Sequence, residues 1–274
     1  MKTAETLLAC CVVGLACFIG GQSLQVTAAA TQSEAAGAID EWSPVSLHDL
    51  RSLIGGERPE PREKRHGAEV LVGLASTARD NRPAVPAYEM RRRLAPGMAG
   101  TYMPALLRSR DSALARWPDR TTRPLRVFIR DGTSLEGWTP DYLAVVRDAF
   151  DTWVQTGIPV RFTFVTDSAR ADIHVRFTRA FAEGISGRTT WSRNGAYWLV
   201  ASDIQLALWY PGGGFVTPTQ LRAMALHEVG HLLGLDHADS PEHIMSARVR
   251  VRDLSEADRA TVRLLYAVPA GSLK

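Results

Sequence analysis

The chain carries the sequence HEVGHLLGLDH at residues 227–237, and this stretch decides what kind of domain surrounds it. Residues four apart on an α-helix lie one above the other, so the imidazoles of His227 and His231 can hold one ion. Glu228 lies about 100° further round such a helix and reaches the solvent side of that ion without ligating it. Gly234 lies where the helix must end, because glycine adopts the left-handed conformation that turns the chain back. This turn brings His237 under the first two histidines as a third nitrogen ligand.

Three neutral imidazoles with one open position are typical of a catalytic zinc site. A structural zinc site is normally closed by a fourth protein ligand, often cysteine, and every cysteine of this chain lies within its first 17 residues. The sequence therefore predicts one catalytic Zn2+ held by His227, His231 and His237.

The same stretch resembles the extended zinc-binding motif of the metzincin endopeptidases. Its internal residues are most similar to the matrixin branch, the relatives of matrix metalloproteinases, in their bacterial type. Metzincins also carry a methionine in a turn beneath the zinc, and Met245 in the sequence Ile244-Met245-Ser246 matches it. The resemblance spans about residues 117–268. It implies a zinc metalloendopeptidase in which Met245 forms an apolar floor without ligating the metal.

The resemblance also implies a reaction. Zinc lowers the pKa of a bound water toward about 7, and Glu228, as general base, accepts its proton and passes it to the leaving amine. The edge strand near Gly187–Trp191 pairs with an extended substrate. The predicted function is hydrolysis of peptide bonds in extracytoplasmic proteins or peptides. Two alternatives stay open: an exported zinc-binding interaction protein without catalysis, and a hydrolase of another amide, such as a cell-wall peptide.

Several positions depart from the family pattern. Matrixins usually have serine after the third histidine, where this chain has Ala238. Ala247 stands where the astacin and serralysin branches have tyrosine, which argues against those branches. The cysteine-containing propeptide motif of animal matrixins is absent, so any latency must be achieved without a thiolate. The structural zinc and calcium ligands of the animal enzymes have no identifiable match, and calcium binding is left open.

The resemblance implies an α+β fold of metzincin type, in which a twisted, mostly parallel sheet of about five strands packs with three helices and zinc lies in the cleft. The pattern of apolar residues is consistent with these elements. Alternation of apolar and polar residues predicts the strands, and 3.6-residue spacing with N-caps and proline predicts the helices. The predicted strands are 125–129, 160–164, 173–177, 189–191 and 199–208. The three helices predicted with this sheet are 140–154, 218–233 and 255–266, and a further helix is predicted at 98–116 in the N-terminal region. An Asn194-Gly195 turn is expected to join the last two strands.

The N-terminus predicts export. Lys2 precedes an apolar core of about 14 residues and a small-residue cleavage site, which is the layout of a signal peptide over residues 1–30. An uncleaved membrane anchor is the alternative, but the core is shorter than the about 20 residues that a spanning helix needs. Residues 31–117 are predicted to be a partly helical propeptide or spacer, and residues 118–274 to be the catalytic domain. The expected location is periplasmic or secreted.

Charge and composition exclude other classes of function. Apolar residues make up 45% and charged residues 22% of the chain, which is ordinary for a globular protein. Lysine and arginine number 32 against 29 acidic residues, and no segment has the basic excess that phosphate binding requires. Nucleic acid is therefore not an expected partner, and the expected partner is a protein or peptide substrate. The oligomeric state is not indicated.

Three further polar residues have two interpretations each. His174 alternates with apolar neighbours in a predicted strand, which favours a solvated sheet histidine over a second metal site. His243 lies near the zinc motif in sequence, but a loop histidine without a metal role is the plainer interpretation. Asp258 either orients the Met245 turn by hydrogen bonding or has an ordinary role as a helix cap or surface residue.

Overall fold

The computed structural model describes residues 85–210 and 213–274. The predicted signal peptide, the first part of the predicted N-terminal region and all three cysteines lie outside the described residues. The helices and strands of the described part are, in chain order, α1 (Ala87–Leu94), α2 (Met103–Ser109), β1 (Ala113–Leu114), β2 (Arg120–Ile129), α3 (Asp141–Val154), β3 (Val160–Phe164), β4 (Ile173–Thr178), β5 (Gly187–Arg193), β6 (Leu199–Ala207), α4 (Pro218–Leu232), α5 (Glu256–Ala267) and β7 (Gly271–Ser272).

A five-stranded sheet with strand order β3-β2-β4-β6-β5 is the centre of the fold. The strands β3, β2, β4 and β6 are parallel to one another, whereas β5 runs antiparallel to β6 and forms one edge. The three helices α3, α4 and α5 come after residue 118 in the described part of the chain. The predicted α+β architecture, with a mostly parallel sheet of about five strands and three helices, is confirmed.

Apolar and polar side chains alternate along the strands, which explains why helices cover one face of the sheet. Val127 on β2 lies opposite Ile173 on β4, and both side chains are buried. Arg126, the residue before Val127 on β2, projects to the other face, where its guanidinium donates to Asp172 at 2.8 Å. Parallel neighbours need a crossover connection, and α3 supplies it between β2 and β3 while burying Phe150 against the sheet.

Helix α4 begins and ends with strong local signals. At its start, Thr217 and Gln220 form the predicted capping box, with Pro218 in the first turn. At its end, Gly234 has φ +101° and its N–H donates to the carbonyl of His231 at 2.9 Å, while Leu235 N–H donates to Gly230 O at 3.0 Å. These paired bonds form a Schellman motif, which satisfies the last carbonyls and reverses the chain.

Helix α4 is also held from outside along its length. The indole N–H of Trp153 on α3 donates to the carbonyl of Leu226 at 2.8 Å. The indole N–H of Trp117 donates to Leu232 O at 2.9 Å, and the Tyr266 hydroxyl donates to Leu233 O at 3.1 Å. Nearly all residues of α4 from Leu221 onward are buried. The helix that carries the histidines is therefore the central element of the core.

The predicted helix over residues 98–116 is correct only over Met103–Ser109 and is wrong on both sides of that range. Beyond Ser109 the deviation has an identifiable cause. The chain turns there through Asp111 and Ser112, both with positive φ, and Leu114 then lies in β1, which pairs with β7 near the C-terminus. Leu114 is fully buried in this strand pair. The apolar spacing that predicted one continuous helix face thus arises from two elements that face the same core.

The predicted turn at Asn194-Gly195 lies between β5 and β6, where Tyr197 N–H donates to the Asn194 carbonyl at 3.1 Å. Five residues, 194–198, join the strands, because β5 ends at Arg193 and β6 begins at Leu199. The side chain of Asn194 accepts from the N–H groups of Ala196 and Trp198 at 3.0 Å, and Tyr197 has φ +66°. The asparagine therefore stabilises a longer loop through its side chain.

The described part of the predicted N-terminal region packs onto the sheet-and-helix domain. Met90, Met103 and Leu106 are buried in the same apolar core as the residues of α4 and α5. The backbone N–H of Tyr102 donates to Thr261 Oγ1 on α5 at 3.1 Å. A domain boundary near residue 117 stays a prediction, and residues 85–117 share a core with the sheet and with α4 and α5.

The helices of the described part are too short or too polar to cross a membrane. Within 85–210 and 213–274, no helix has the length and apolar character needed to span a bilayer.

We expect the packing of α1 to be measurable in stability. Met90 is fully buried and Tyr88, on the same helix, is 70% exposed. Met90→Ala should lower the free energy of unfolding by about 2–5 kcal/mol, because it deletes buried apolar groups and leaves a cavity. Tyr88→Ala should change it by no more than about 0.5 kcal/mol. Urea unfolding followed by tryptophan fluorescence measures both, and equal midpoints for the two variants would contradict the packing described.

Candidate metal centre and active site

Three imidazoles converge at the C-terminal half of α4. The Nε2 atom of His231 lies 3.0 Å from Nε2 of His227 and 3.2 Å from Nε2 of His237. His227 and His231 lie one turn apart on α4, and the reversal at Gly234 brings His237 back to them. Among the described residues, these three form the group whose ligand atoms lie within 4.8 Å of one another.

The other ring nitrogens fix the orientation of two rings. The Nδ1 of His227 lies 2.7 Å from the carbonyl oxygen of Ile244, and the Nδ1 of His231 lies 3.1 Å from that of Leu235. A carbonyl only accepts, so each Nδ1 carries the proton and each Nε2 presents a lone pair. Two lone pairs 3.0 Å apart cannot hydrogen-bond to each other, and a cation between them removes the repulsion.

The distances and charge state fit zinc. Zn–N bonds of about 2.0–2.1 Å in a tetrahedral site place ligand nitrogens about 3.3 Å apart, close to the observed separations. Burial lowers the pKa of His227 to about 3 and also lowers the pKa of His231 and His237. Neutral imidazoles are the form that binds metal. The cluster could therefore hold one metal ion with an open coordination position.

Glu228 lies beside this cluster in a buried environment. Its side chain accepts a hydrogen bond from Thr189 Oγ1 on β5, with 2.6 Å between Oγ1 and Oε2. Burial raises the pKa of Glu228 to about 7, although the Thr189 hydrogen bond acts in the opposite direction. A Cβ atom at Gly187 would lie 2.3 Å from Glu228 Oε1. The inner face of β5 is thus shaped to receive this carboxylate.

Met245 lies beneath the histidines and is fully buried. A Cβ atom at Gly230 would lie 2.2 Å from its sulfur, so the helix needs glycine at the position between the two histidines that faces the turn. Ala238 N–H donates to the Met245 carbonyl at 2.8 Å, which ties the segment after His237 to the methionine turn. The geometry agrees with an apolar floor below the candidate metal position.

Asp258 is fully buried and has both of the functions considered for it. Its Oδ2 accepts from the backbone N–H groups of Ile244 at 3.0 Å and Ser255 at 2.8 Å, so it caps α5 and orients the methionine turn. Its Oδ1 accepts from the Tyr102 hydroxyl at 3.1 Å. Because Ile244 O is the partner of His227 Nδ1, Asp258 supports a candidate ligand through a single residue.

Two further histidines, His174 and His243, lie apart from the cluster. His174 is on β4 with Nε2 3.0 Å from the carbonyl oxygen of Ser168, and its side chain is 37% exposed. His243 stacks on Tyr102, with ring centroids 5.6 Å apart, and its Nδ1 lies 2.9 Å from Ser255 Oγ. These contacts tie His174 and His243 to their own surroundings, and neither histidine belongs to the three-histidine cluster.

Sequence reasoning missed two contributors to the site. Thr189, the partner of Glu228, had a signal in the alternation of β5, since it faces inward with Trp191. Arg110 forms an ion pair with Asp236, the residue before His237, with 2.6 Å between Nε and Oδ2. No sequence pattern indicated that pairing, because 126 positions separate the two residues.

Comparisons with known proteins show which family this chain resembles. Residues 133–267 match the family model described as Matrixin, and the match includes the three histidines, Glu228 and Met245. Metalloendoproteinase 1-MMP of Arabidopsis thaliana is 31% identical over 146 residues, which cover 46% of this chain and 38% of that relative. The chain thus spans well under half of that relative's length. The crystal structure of myroilysin aligns at 16% identity with a TM-score of 0.38, over 56% of this chain and 86% of that one.

We expect Asp258 to stabilise the fold through the methionine turn. Asp258→Ala removes the shared acceptor of two backbone N–H groups and a helix cap, and should lower the free energy of unfolding by about 2–4 kcal/mol. Glu256→Ala, in the same helical turn, removes an exposed ion pair with Arg263 and should cost no more than about 0.5 kcal/mol. Thermal unfolding of the metal-free protein measures both. A similar effect for the two variants would contradict the role of Asp258.

Proposed function

Since residues 133–267 match the Matrixin family model, this chain is a matrixin-like metzincin and thus a zinc metalloendopeptidase, and we propose that it hydrolyses peptide bonds of extracytoplasmic proteins or peptides. The observation that carries the proposal is the convergence of three neutral imidazoles beside one buried carboxylate, Glu228. We assign His227, His231 and His237 to the metal and Glu228 to proton transfer.

Each residue of the site has a distinct task in this reaction. Zinc in the cluster would supply a Lewis acid that acidifies water and polarises a carbonyl. Glu228 takes the proton of the attacking water and delivers it to the nitrogen of the leaving amine. Thr189 holds one oxygen of the Glu228 carboxylate at 2.6 Å and leaves the other for the proton. The hydrogen bonds of His227 and His231 to backbone carbonyls keep the lone pairs directed at the ion.

We propose that the substrate binds along the edge strand β5. It pairs with β6 on one side and ends the sheet on the other, so an extended peptide can add to it through backbone hydrogen bonds. Its residues Gly187 and Thr189 face Glu228. A peptide lying along this strand would therefore pass the proton-transfer group, which favours an extended polypeptide as the substrate.

The extracytoplasmic setting is supported by the N-terminal sequence. A charged start, an apolar core and a small-residue segment are typical of a signal peptide. The non-catalytic alternative, a zinc-binding interaction protein, is disfavoured by the Thr189–Glu228 contact. Metal binding alone does not need a buried carboxylate that is oriented beside the ligands without joining them.

We expect Glu228→Gln to slow cleavage severely while leaving zinc in place. The variant keeps the shape and hydrogen-bonding capacity of the side chain but cannot carry a proton, so kcat/KM should fall by about 10²- to 10⁴-fold. Casein cleavage measures activity, and metal analysis of the same sample measures zinc content.

The control for this variant is Glu242→Gln, at an exposed position close in sequence to the methionine turn. It should cleave like the unaltered protein, and a chelator should stop cleavage by both. Undiminished cleavage by Glu228→Gln would refute the assignment of the base. Stoichiometric zinc with no cleavage of casein or of a peptide library by the unaltered protein would favour the non-catalytic alternative.

We expect Thr189→Val to lower kcat and leave KM unchanged. A hydrogen bond to a charged group contributes about 1.5–3 kcal/mol, so its loss should slow turnover by about 10-fold or more. Thr190→Val is the matched control, because successive side chains of a strand point to opposite faces and Thr189 is the one that bonds to Glu228. Steady-state kinetics on one peptide substrate tests the pair. Equal kcat values would show that Thr189 does not position the base.

A further inference from the structure

We propose that Arg110 is a positioning residue of the metal centre. Through Arg110, the segment before the predicted domain boundary orients two of the three candidate ligands, His231 and His237. The inference rests on the proposed function, since it concerns the same site. It assigns to residues 103–117 a function in metal binding that neither the motif nor the sheet supplies.

The Arg110 guanidinium binds two neighbouring groups in the loop after α4. Its Nε donates to Asp236 Oδ2 at 2.6 Å, and its Nη2 donates to the carbonyl of Leu235 at 3.2 Å. The side chains of Arg110 and Asp236 are 14% and 19% exposed. This ion pair is therefore largely shielded from water, unlike the exposed pair between Arg108 and Asp239, whose side chains are 66% and 80% exposed.

Both groups that Arg110 holds are themselves bonded to candidate ligand residues. The carbonyl of Leu235 accepts from His231 Nδ1 at 3.1 Å. The other oxygen of Asp236 accepts from the backbone N–H of His237 at 2.8 Å. The Arg110 guanidinium thus holds the Leu235 carbonyl, which orients the imidazole of His231. It also holds the Asp236 carboxylate, which orients the backbone of His237.

Arg110 also contacts the strand that carries the partner of Glu228. Its guanidinium carbon lies 4.8 Å from the centre of the Trp191 ring on β5. Trp191 and Thr189 face the same side of this strand, and Thr189 bonds to Glu228. A planar cation that stacks on an aromatic ring while donating from two nitrogens is a role that arginine fills and lysine does not.

The chain around Arg110 fixes its direction of approach. Arg110 N–H donates to Leu106 O at 3.1 Å at the end of α2, and the residues after it turn through positive φ at Asp111 and Ser112. Ala113 then pairs with Ser272 in the small β1–β7 sheet. The base of the side chain is thus anchored on both sides, and the guanidinium reaches the loop before His237 from a fixed point.

The experiment compares zinc affinity among variants of the purified protein. Arg110→Met keeps the aliphatic length but removes both donors, and its zinc dissociation constant should rise by about 10- to 100-fold, as is typical for lost partners of metal ligands. Arg110→Lys keeps the charge near Asp236 and should recover part of this loss. Arg108→Met, which removes only the exposed pair, should bind zinc like the unaltered protein. Competition with a chromophoric chelator gives the constants, and circular dichroism establishes that each sample is folded.

A second readout separates positioning from mere stability. Co2+ substituted for zinc reports ligand geometry through its visible absorption, so a folded Arg110→Met protein should show an altered spectrum while Arg108→Met does not. Equal zinc affinity and equal Co2+ spectra for the unaltered protein and Arg110→Met would overturn the proposal. If Arg110→Met does not fold, the zinc affinities of Arg110→Lys and Asp236→Asn test the proposal instead. Asn keeps an acceptor for His237 N–H but loses the ion pair, and unaltered zinc affinity in both would likewise overturn it.

The design distinguishes this inference from the proposed function. Failure of the unaltered protein to bind one zinc ion would refute the metal centre itself. Zinc binding and cleavage by the unaltered protein, with no effect of the Arg110 substitutions on zinc affinity, would refute only the role of Arg110.

Discussion

Three imidazoles that converge on one point, two of them buried and the third half-buried, are the constraint on which the rest of the domain depends. Nitrogen lone pairs 3.0 Å apart repel each other unless a cation lies between them. The protein maintains this arrangement with backbone carbonyls of Ile244 and Leu235, which hold Nδ1 of two rings so that neither can rotate away. Burial keeps the rings neutral by lowering their pKa. Such a site favours a divalent metal that accepts several imidazoles, as zinc does.

The fold supplies the rigidity that this arrangement needs. Helix α4 is buried along most of its length, and indole and phenol groups from α3, α5 and the segment at Trp117 bond to its carbonyls. The reversal after the helix is equally constrained. Gly234 has a positive φ, and a Cβ there would lie 2.2 Å from the Ala115 carbonyl oxygen. Glycine is therefore needed both for the turn and for the close approach of the chain that precedes β2. The path of the third ligand depends on contacts with residues far upstream in sequence.

This dependence explains what the sequence could and could not predict. The helix position of His227 and His231, the capping box and the strands arise from periodicities of two or 3.6 residues, which are local properties. The family resemblance added the methionine turn and the general base. The contacts that escaped prediction join distant residues: Thr189 lies 39 positions from Glu228, and Arg110 lies 126 positions from Asp236. The helix over 98–116 failed for the same reason, since pairing with β7 decides the conformation of Leu114.

The long-range contacts also bear on which residues can act as a propeptide. The predicted propeptide or spacer extends over residues 31–117, yet Tyr102 bonds to Asp258 and Arg110 bonds to Asp236, so both reach the loops that frame the histidines. Removal of every residue up to 117 would expose the apolar surface that Met103 covers. It would also remove the Tyr102 donor from Asp258 and the Arg110 cation from Asp236. An uncompensated charge that is shielded from water is costly. The segment from α1 onward thus packs as one body with the sheet and with α4 and α5, so the propeptide role predicted for residues 31–117 conflicts with these contacts from α1 onward.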